Sequence, residues 1–238
     1  MPRRTEEKSG PENPADCRAA EFIGVGGILG PRAEQIAAAA ENLGGNPAIA
    51  LGRLAASGRF RVARPLRPPD KFGAEHDVFL AADGLRVVKY ARNYGFGPAV
   101  VDGGLIMGSC SPGGYLARHA LLEEIFPTGI AVEGLTDDGH FVISQRAIRG
   151  NHPTDRAIWK YLVGLGFSNV PPHFGQGGGA WFHRGLGILI MDTAPDNFIA
   201  AKQGIVPIDL QIGQLEGELL ELADAVDTLA QQAPGIVR

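Results

Sequence analysis

Four residues of this sequence have types and spacing suited to chemistry: Lys89, Asp192, Asn197 and Asp209. The apolar run Leu186 to Met191 ends abruptly in Asp192. Asn197 follows with Pro195 between them, and Asp209 closes a second apolar run that begins at Ile205. Metal-assisted phosphoryl transfer requires one carboxylate to orient a hydroxyl, and a carboxamide and a second carboxylate to hold magnesium. Hard oxygen donors suit that ion, and strand ends mount them rigidly. The competing structural readings are a turn-capping Asp192, a left-handed turn at Asn197, a salt-bridged Asp209 and a Lys89 that reaches from a hairpin to solvent. Asp196 reads as a bystander.

The elements that must position these residues follow from patterning. Segments 32–43 and 47–56 predict helices, and Pro65, Pro68 and Pro69 mark a boundary near residue 70. Segments 76–81 and 85–91 flank Asp83-Gly84 and predict a β-hairpin. The glycine-rich stretch 92–113 has no steady period and predicts an insertion loop. A helix is expected over 114–126, strands over 130–135 and 140–145, and a helix after the candidate cap Thr154. The glycine-rich segment 175–179 predicts a loop. Short strands are expected over 180–183, 186–191 and 205–210, then a closing amphipathic helix over 214–231. This order predicts a compact, two-lobed α+β chain. It divides into a tail over 1–18, a helical extension over 19–70, a β-rich lobe over 71–146 and a reduced helical lobe over 147–238 that carries the acidic loop.

Composition narrows the function classes. The 238 residues are 45% hydrophobic and 20% charged, with a mean hydropathy of zero, as in ordinary globular chains. No uninterrupted apolar stretch is long enough to span a membrane. The first residues lack the apolar region of a secretory signal, and Cys17 and Cys110 read as reduced thiols, so a cytoplasmic setting is expected. A net charge of -4 offers no electrostatic basis for nucleic acid as the main partner. The glycine run at 24–30 follows a strand of only about three residues and has Leu29 where a dinucleotide fingerprint needs its sixth-position glycine. His76, His119, His140, His152, His173 and His183 show no zinc spacing and are assigned no metal. Ser109, Ser111 and Ser144 lack a nucleophile-elbow sequence.

The stretch DTAPDN resembles the catalytic loop of protein kinases and aminoglycoside phosphotransferases, and Leu85 to Tyr90 resembles the third kinase strand. More narrowly, EHDVFL, RVVKYA, YLARHALLEEIFP, FVISQ and DNFIAAKQGIVPIDL are similar to the kinase-like domain of polyvalent proteins carried by phages and mobile elements, over residues 72–213. This resemblance implies a kinase-like fold with ATP and magnesium between the lobes. By the same resemblance, Lys89 contacts the phosphates, Asp192 orients the acceptor hydroxyl, and Asn197 and Asp209 bind magnesium. Gly73 lies in the phosphate loop, Gln145, Arg146 and Ala147 form the adenine hinge, and Glu123 or Glu124 partners Lys89. The acceptor is expected to be a small molecule or a protein. An alternative is a catalytically silent kinase-like module that binds nucleotide or a partner. It is motivated by the single glycine in Gly73-Ala74-Glu75-His76 and by the lack of a mid-helix Glu to partner Lys89, since Glu123 and Glu124 stand near the C-terminal end of their helix.

Overall fold

The computed structural model describes residues 26–92, 96–101, 104–109, 111–170 and 179–232. The expected tail over 1–18, both cysteines, His173 and nearly all of the predicted glycine loop at 175–179 lie outside them.

Helices α1 (Gly26–Leu29), α2 (Pro31–Leu43) and α3 (Pro47–Ala56) open the described chain, so the glycine run ends in a helical turn. Proline at the first position of α2 and α3 loses no intrahelical bond, and the Asn46 side chain caps α3 by accepting from the backbone N–H of Ala48 (2.9 Å). Strands β1 (Lys71–Phe72), β2 (His76–Leu80) and β3 (Arg86–Ala91) follow, with Gly84 supplying the positive φ of the β2–β3 turn. Between β3 and α4 (Pro112–Ile125), where the sequence predicts a loop, the chain forms the hairpin β4 (Phe96–Val101) and β5 (Gly104–Ser109). Gly97, Pro98, Gly104 and Gly108 interrupt its apolar pattern in the sequence, so no steady strand period is visible there.

The hairpin β6 (Ala131–Leu135) and β7 (Phe141–Arg146) completes a five-stranded antiparallel sheet in the order β1-β2-β3-β7-β6. The extension over 26–70 joins this sheet directly. Val62 and Leu135 bond in parallel beside β6 (2.8 Å), and the Tyr90 hydroxyl donates to the Ala63 carbonyl across the outer face (2.9 Å). Leu29, Ile36, Leu51 and Phe60 share one apolar core with Tyr115, Phe141 and Ile143, so the core runs unbroken past residue 70.

Beyond β7 lie α5 (Asp155–Gly164), β8 (Ser168–Val170), β9 (Ala180–His183), β10 (Ile188–Met191), β11 (Phe198–Ala201), β12 (Gly204–Pro207), β13 (Gln211–Gln214) and α6 (Gly217–Gln232). Thr154 caps α5 as expected, its side chain accepting from Ala157 N–H. The C-terminal part is thus richer in strand than the helical lobe expected. β8, β9, β10 and β13 form an antiparallel sheet with β10 inside it, and the helix predicted from 214 begins at Gly217 because 211–214 pairs with β10 instead.

That pairing explains why β10 is apolar throughout. Ile188 and Ile190 enter the main core while Leu189 and Met191, on the opposite face, pack with α6, so both faces of the strand are covered. Each of the four is at most 3% exposed, and such burial stabilises by about 1.5–3 kcal/mol per side chain. No helix among the described residues is long and apolar enough to cross a membrane.

Candidate functional site

β10 delivers Asp192 with φ 57°, the one described non-glycine residue at positive φ, a conformation that Asp tolerates better than most. A single 3-10 turn (Pro195–Asn197) then brings Asn197 back, and its buried side-chain amide donates to the Asp192 carbonyl (2.7 Å). The Asn197 carbonyl accepts from Ile208 N–H (2.8 Å), tying this loop to the segment that bears Asp209. His152 holds the loop from the other side. Its Nδ1 donates to the carbonyls of Pro195 (3.1 Å) and Phe198 (3.0 Å), which requires the proton on Nδ1. Asn151 pairs with Ala200. Gly150 is forced to be glycine, because a Cβ there would overlap the Ala200 carbonyl oxygen and approach Ile199 Cγ2 to 2.7 Å.

Lys89, buried on β3, reaches across to this segment, where its Nζ donates to the Ile208 carbonyl (2.8 Å) and to Asp209 Oδ1 (3.2 Å). Desolvation pushes the Asp209 carboxyl upward, but the charge of Lys89, aided by His76, the Lys89 hydrogen bond and Arg118, outweighs it and holds the group below the usual carboxylate range. Asp192 is shifted the other way. Burial raises it, the Asn197 amide opposes that, and the charges of Asp209 and Asp196 add to the rise. Two nearby carboxylates with oppositely displaced pKa values are suited to different roles.

These groups meet at a cleft lined by Lys71, Gly73, Glu75, His76, Asp192 and Asp209 among others, enclosing about 100 Å³. A typical small-molecule pocket measures roughly 300–1,000 Å³. The β1–β2 turn that carries Gly73 is closed by Gly73 N–H donating to the His76 carbonyl (2.8 Å).

Other predicted residues lie elsewhere. Glu123 does not partner Lys89: it accepts the backbone N–H groups of Thr128 (2.9 Å), Gly129 (3.1 Å) and Ile130 (2.9 Å), while Glu124 is exposed. The residues 145–147 are also committed internally. Gln145 donates to Thr128 Oγ1 (2.9 Å), Arg146 N–H to the Thr128 carbonyl (3.1 Å) and Ala147 N–H to the Leu85 carbonyl (2.8 Å).

One cluster escaped sequence reasoning. Glu75 and His76 on the approach to β2 meet His119 of α4, with one ligand-type atom from each within 4.8 Å of the others. The two histidines are 43 positions apart, so no local spacing signals them. Arg118 pairs with Glu75, and His76 Nε2 lies 2.8 Å from the Tyr115 hydroxyl.

Comparison with family models, curated proteins and solved structures finds no significant match to this chain. The residues themselves therefore test the implied cofactors. Asp209, held ionised, and Asn197, whose amide nitrogen is engaged while its oxygen remains an acceptor, are donors that fit magnesium. The adenine end does not fit in the same way, because the Arg146 and Ala147 N–H groups already have partners.

Proposed function

We propose that this chain is a two-lobed, kinase-like phosphotransferase that uses ATP and magnesium to phosphorylate a hydroxyl group of a small molecule or protein. One observation carries the reading: Lys89 of β3 pairs at 3.2 Å with Asp209, on a cleft that Asp192 also lines. These three residues and Asn197 are among those that the resemblance to kinases singled out. Asp209 and Asn197 supply oxygen donors for magnesium, whose contribution when bound is to neutralise phosphate charge. Lys89 adds a positive charge beside them. Asp192, with its raised pKa and a carbonyl pinned by Asn197, orients the acceptor hydroxyl and takes its proton.

A second reading, a kinase-like module without catalysis, is favoured by the engaged N–H groups of Arg146 and Ala147 and by the small cleft. The two are separated by titrating the intact chain with magnesium-ATP, following its melting temperature and the formation of ADP. The phosphotransferase reading expects stabilisation and slow ADP formation that falls about 100-fold or more in Asp192→Asn. Stabilisation without ADP formation supports the silent module. No stabilisation and no turnover overturn both nucleotide-dependent readings.

A further inference from the structure

Behind the cleft, β2 and α4 enclose polar side chains that the acidic loops do not use. His119 is 2% exposed, and neither of its ring nitrogens has a hydrogen-bond partner. An imidazole always offers at least one acceptor or donor nitrogen, and burying it unsatisfied is costly, so such a group calls for an explanation. Its neighbours are ligands of the same kind. His76 is equally buried, with Nε2 against the Tyr115 hydroxyl and Nδ1 turned toward Glu75 Oε2 at 3.9 Å. Glu75 uses Oε1 for Arg118, leaving Oε2 on the side of His76.

We infer that Glu75, His76 and His119 form a binding site for a first-row divalent transition metal of the zinc type, distinct from the magnesium site at Asn197 and Asp209. Two imidazoles and one carboxylate are donors that zinc takes up, and three protein ligands leave a fourth position for water. Two of the three ligands, Glu75 and His76, also line the cleft. Ligand atoms bonded to tetrahedral zinc at about 2.0–2.1 Å stand about 3.3 Å apart, so atoms within 4.8 Å need only side-chain rotation to close on the ion. The Tyr115 hydroxyl against His76 Nε2 acts as the outer partner that fixes ring orientation and leaves Nδ1 as the ligand atom. Arg118 and Lys89 are the opposing charges. Arg118 is balanced by Glu75 and Lys89 by Asp209. The bound ion would clip β2 to α4, joining elements that sequence places far apart.

The test uses the intact chain without a histidine tag, stripped with a chelator and titrated with cobalt(II), then zinc. The expected result is one cobalt per chain with visible d–d absorption, displacement by one equivalent of zinc, and a melting temperature several degrees higher with zinc. His119→Gln and Glu75→Gln should each weaken binding at least tenfold, whereas His140→Gln should leave it within twofold. Asp209→Asn should keep the cobalt absorption, and excess magnesium should not remove it. Absence of stoichiometric cobalt or zinc binding by the wild-type chain overturns the site, as does unchanged affinity in the Glu75 and His119 variants. If His119→Gln does not fold, Glu75→Gln alone decides by the same tenfold criterion.

Discussion

The loop that carries Asp192 and the end of β7 at 145–147 are built alike, a buried strand running into polar residues, yet their polar groups have opposite fates. At the acidic end, side chains from distant segments converge: Lys89 crosses from β3 to Asp209, and both carboxylates face one cleft. At the β7 end, the Gln145 side chain and the backbone N–H groups of Arg146 and Ala147 are taken up by Thr128 and Leu85. The difference teaches where binding capacity resides. A buried strand end must satisfy its polar groups, and backbone partners do so completely, whereas an ion pair leaves a carboxylate oxygen and two protonatable groups available to a ligand.

The sharpest way to break this contrast is Lys89→Met. It should lower the proposed phosphotransfer about 100-fold or more, the loss typical of removing a charge clamp on a developing phosphoryl charge, read as initial ADP formation. If activity survives, the acidic end is no more a working site than the β7 end. Gly150→Ala acts on the loop's mount. Overlap with Ala200 should cost about 1–3 kcal/mol in urea unfolding, and a change below 0.5 kcal/mol would show that the Asn151–Ala200 pairing is soft.

Glu123→Gln addresses the other end. One carboxylate there accepts three N–H groups of the 128–130 loop, which in turn hold β7's terminus, so the loss should be about 1–2 kcal/mol of stability with the Lys89–Asp209 pair untouched. A selective loss of activity at unchanged stability would instead make Glu123 part of the site.

The carboxylates themselves should titrate apart. Asp209 lies below its ordinary 3.8 in the folded state, so its contribution to stability is present above about pH 3.8 and is lost as pH falls through the lower folded value. Asp192 is raised above 3.8, so stability falls as pH rises from there through its folded value. Carboxyl carbon NMR titration should give Asp209 the lower midpoint, and Lys89→Met should raise it. Equal midpoints would erase the asymmetry on which the division of roles rests. The smallest effect is expected for Lys71→Ala. Its pair with Asp196 spans 3.8 Å with both side chains more than half exposed, so stability in urea unfolding should change by less than about 0.5 kcal/mol.

Most helices and the two hairpins of the first sheet are legible in the sequence because their signals are local. Thr154 and Asp83-Gly84 announce their own cap and turn. The β4–β5 hairpin and β13 are not, since glycines mask the first and only pairing with β10 separates the second from α6. The candidate site divides in the same way. Asp192, Asn197, Asp209 and Lys89 stand out by residue type and spacing, but their meeting, the inward turn of 145–147, the anchoring by His152 and the duty of Glu123 do not.

The sequence by itself determined which residues can do chemistry and the strands that carry them, because hydrophobic period and turn chemistry act over a few neighbouring residues. Only the tertiary structure decided which of those residues share a cleft, and that ligand atoms of His76, His119 and Glu75 converge beside it. Contacts between elements depend on how the faces of β3, α4 and β10 pack, and packing reads the whole chain rather than any window of it.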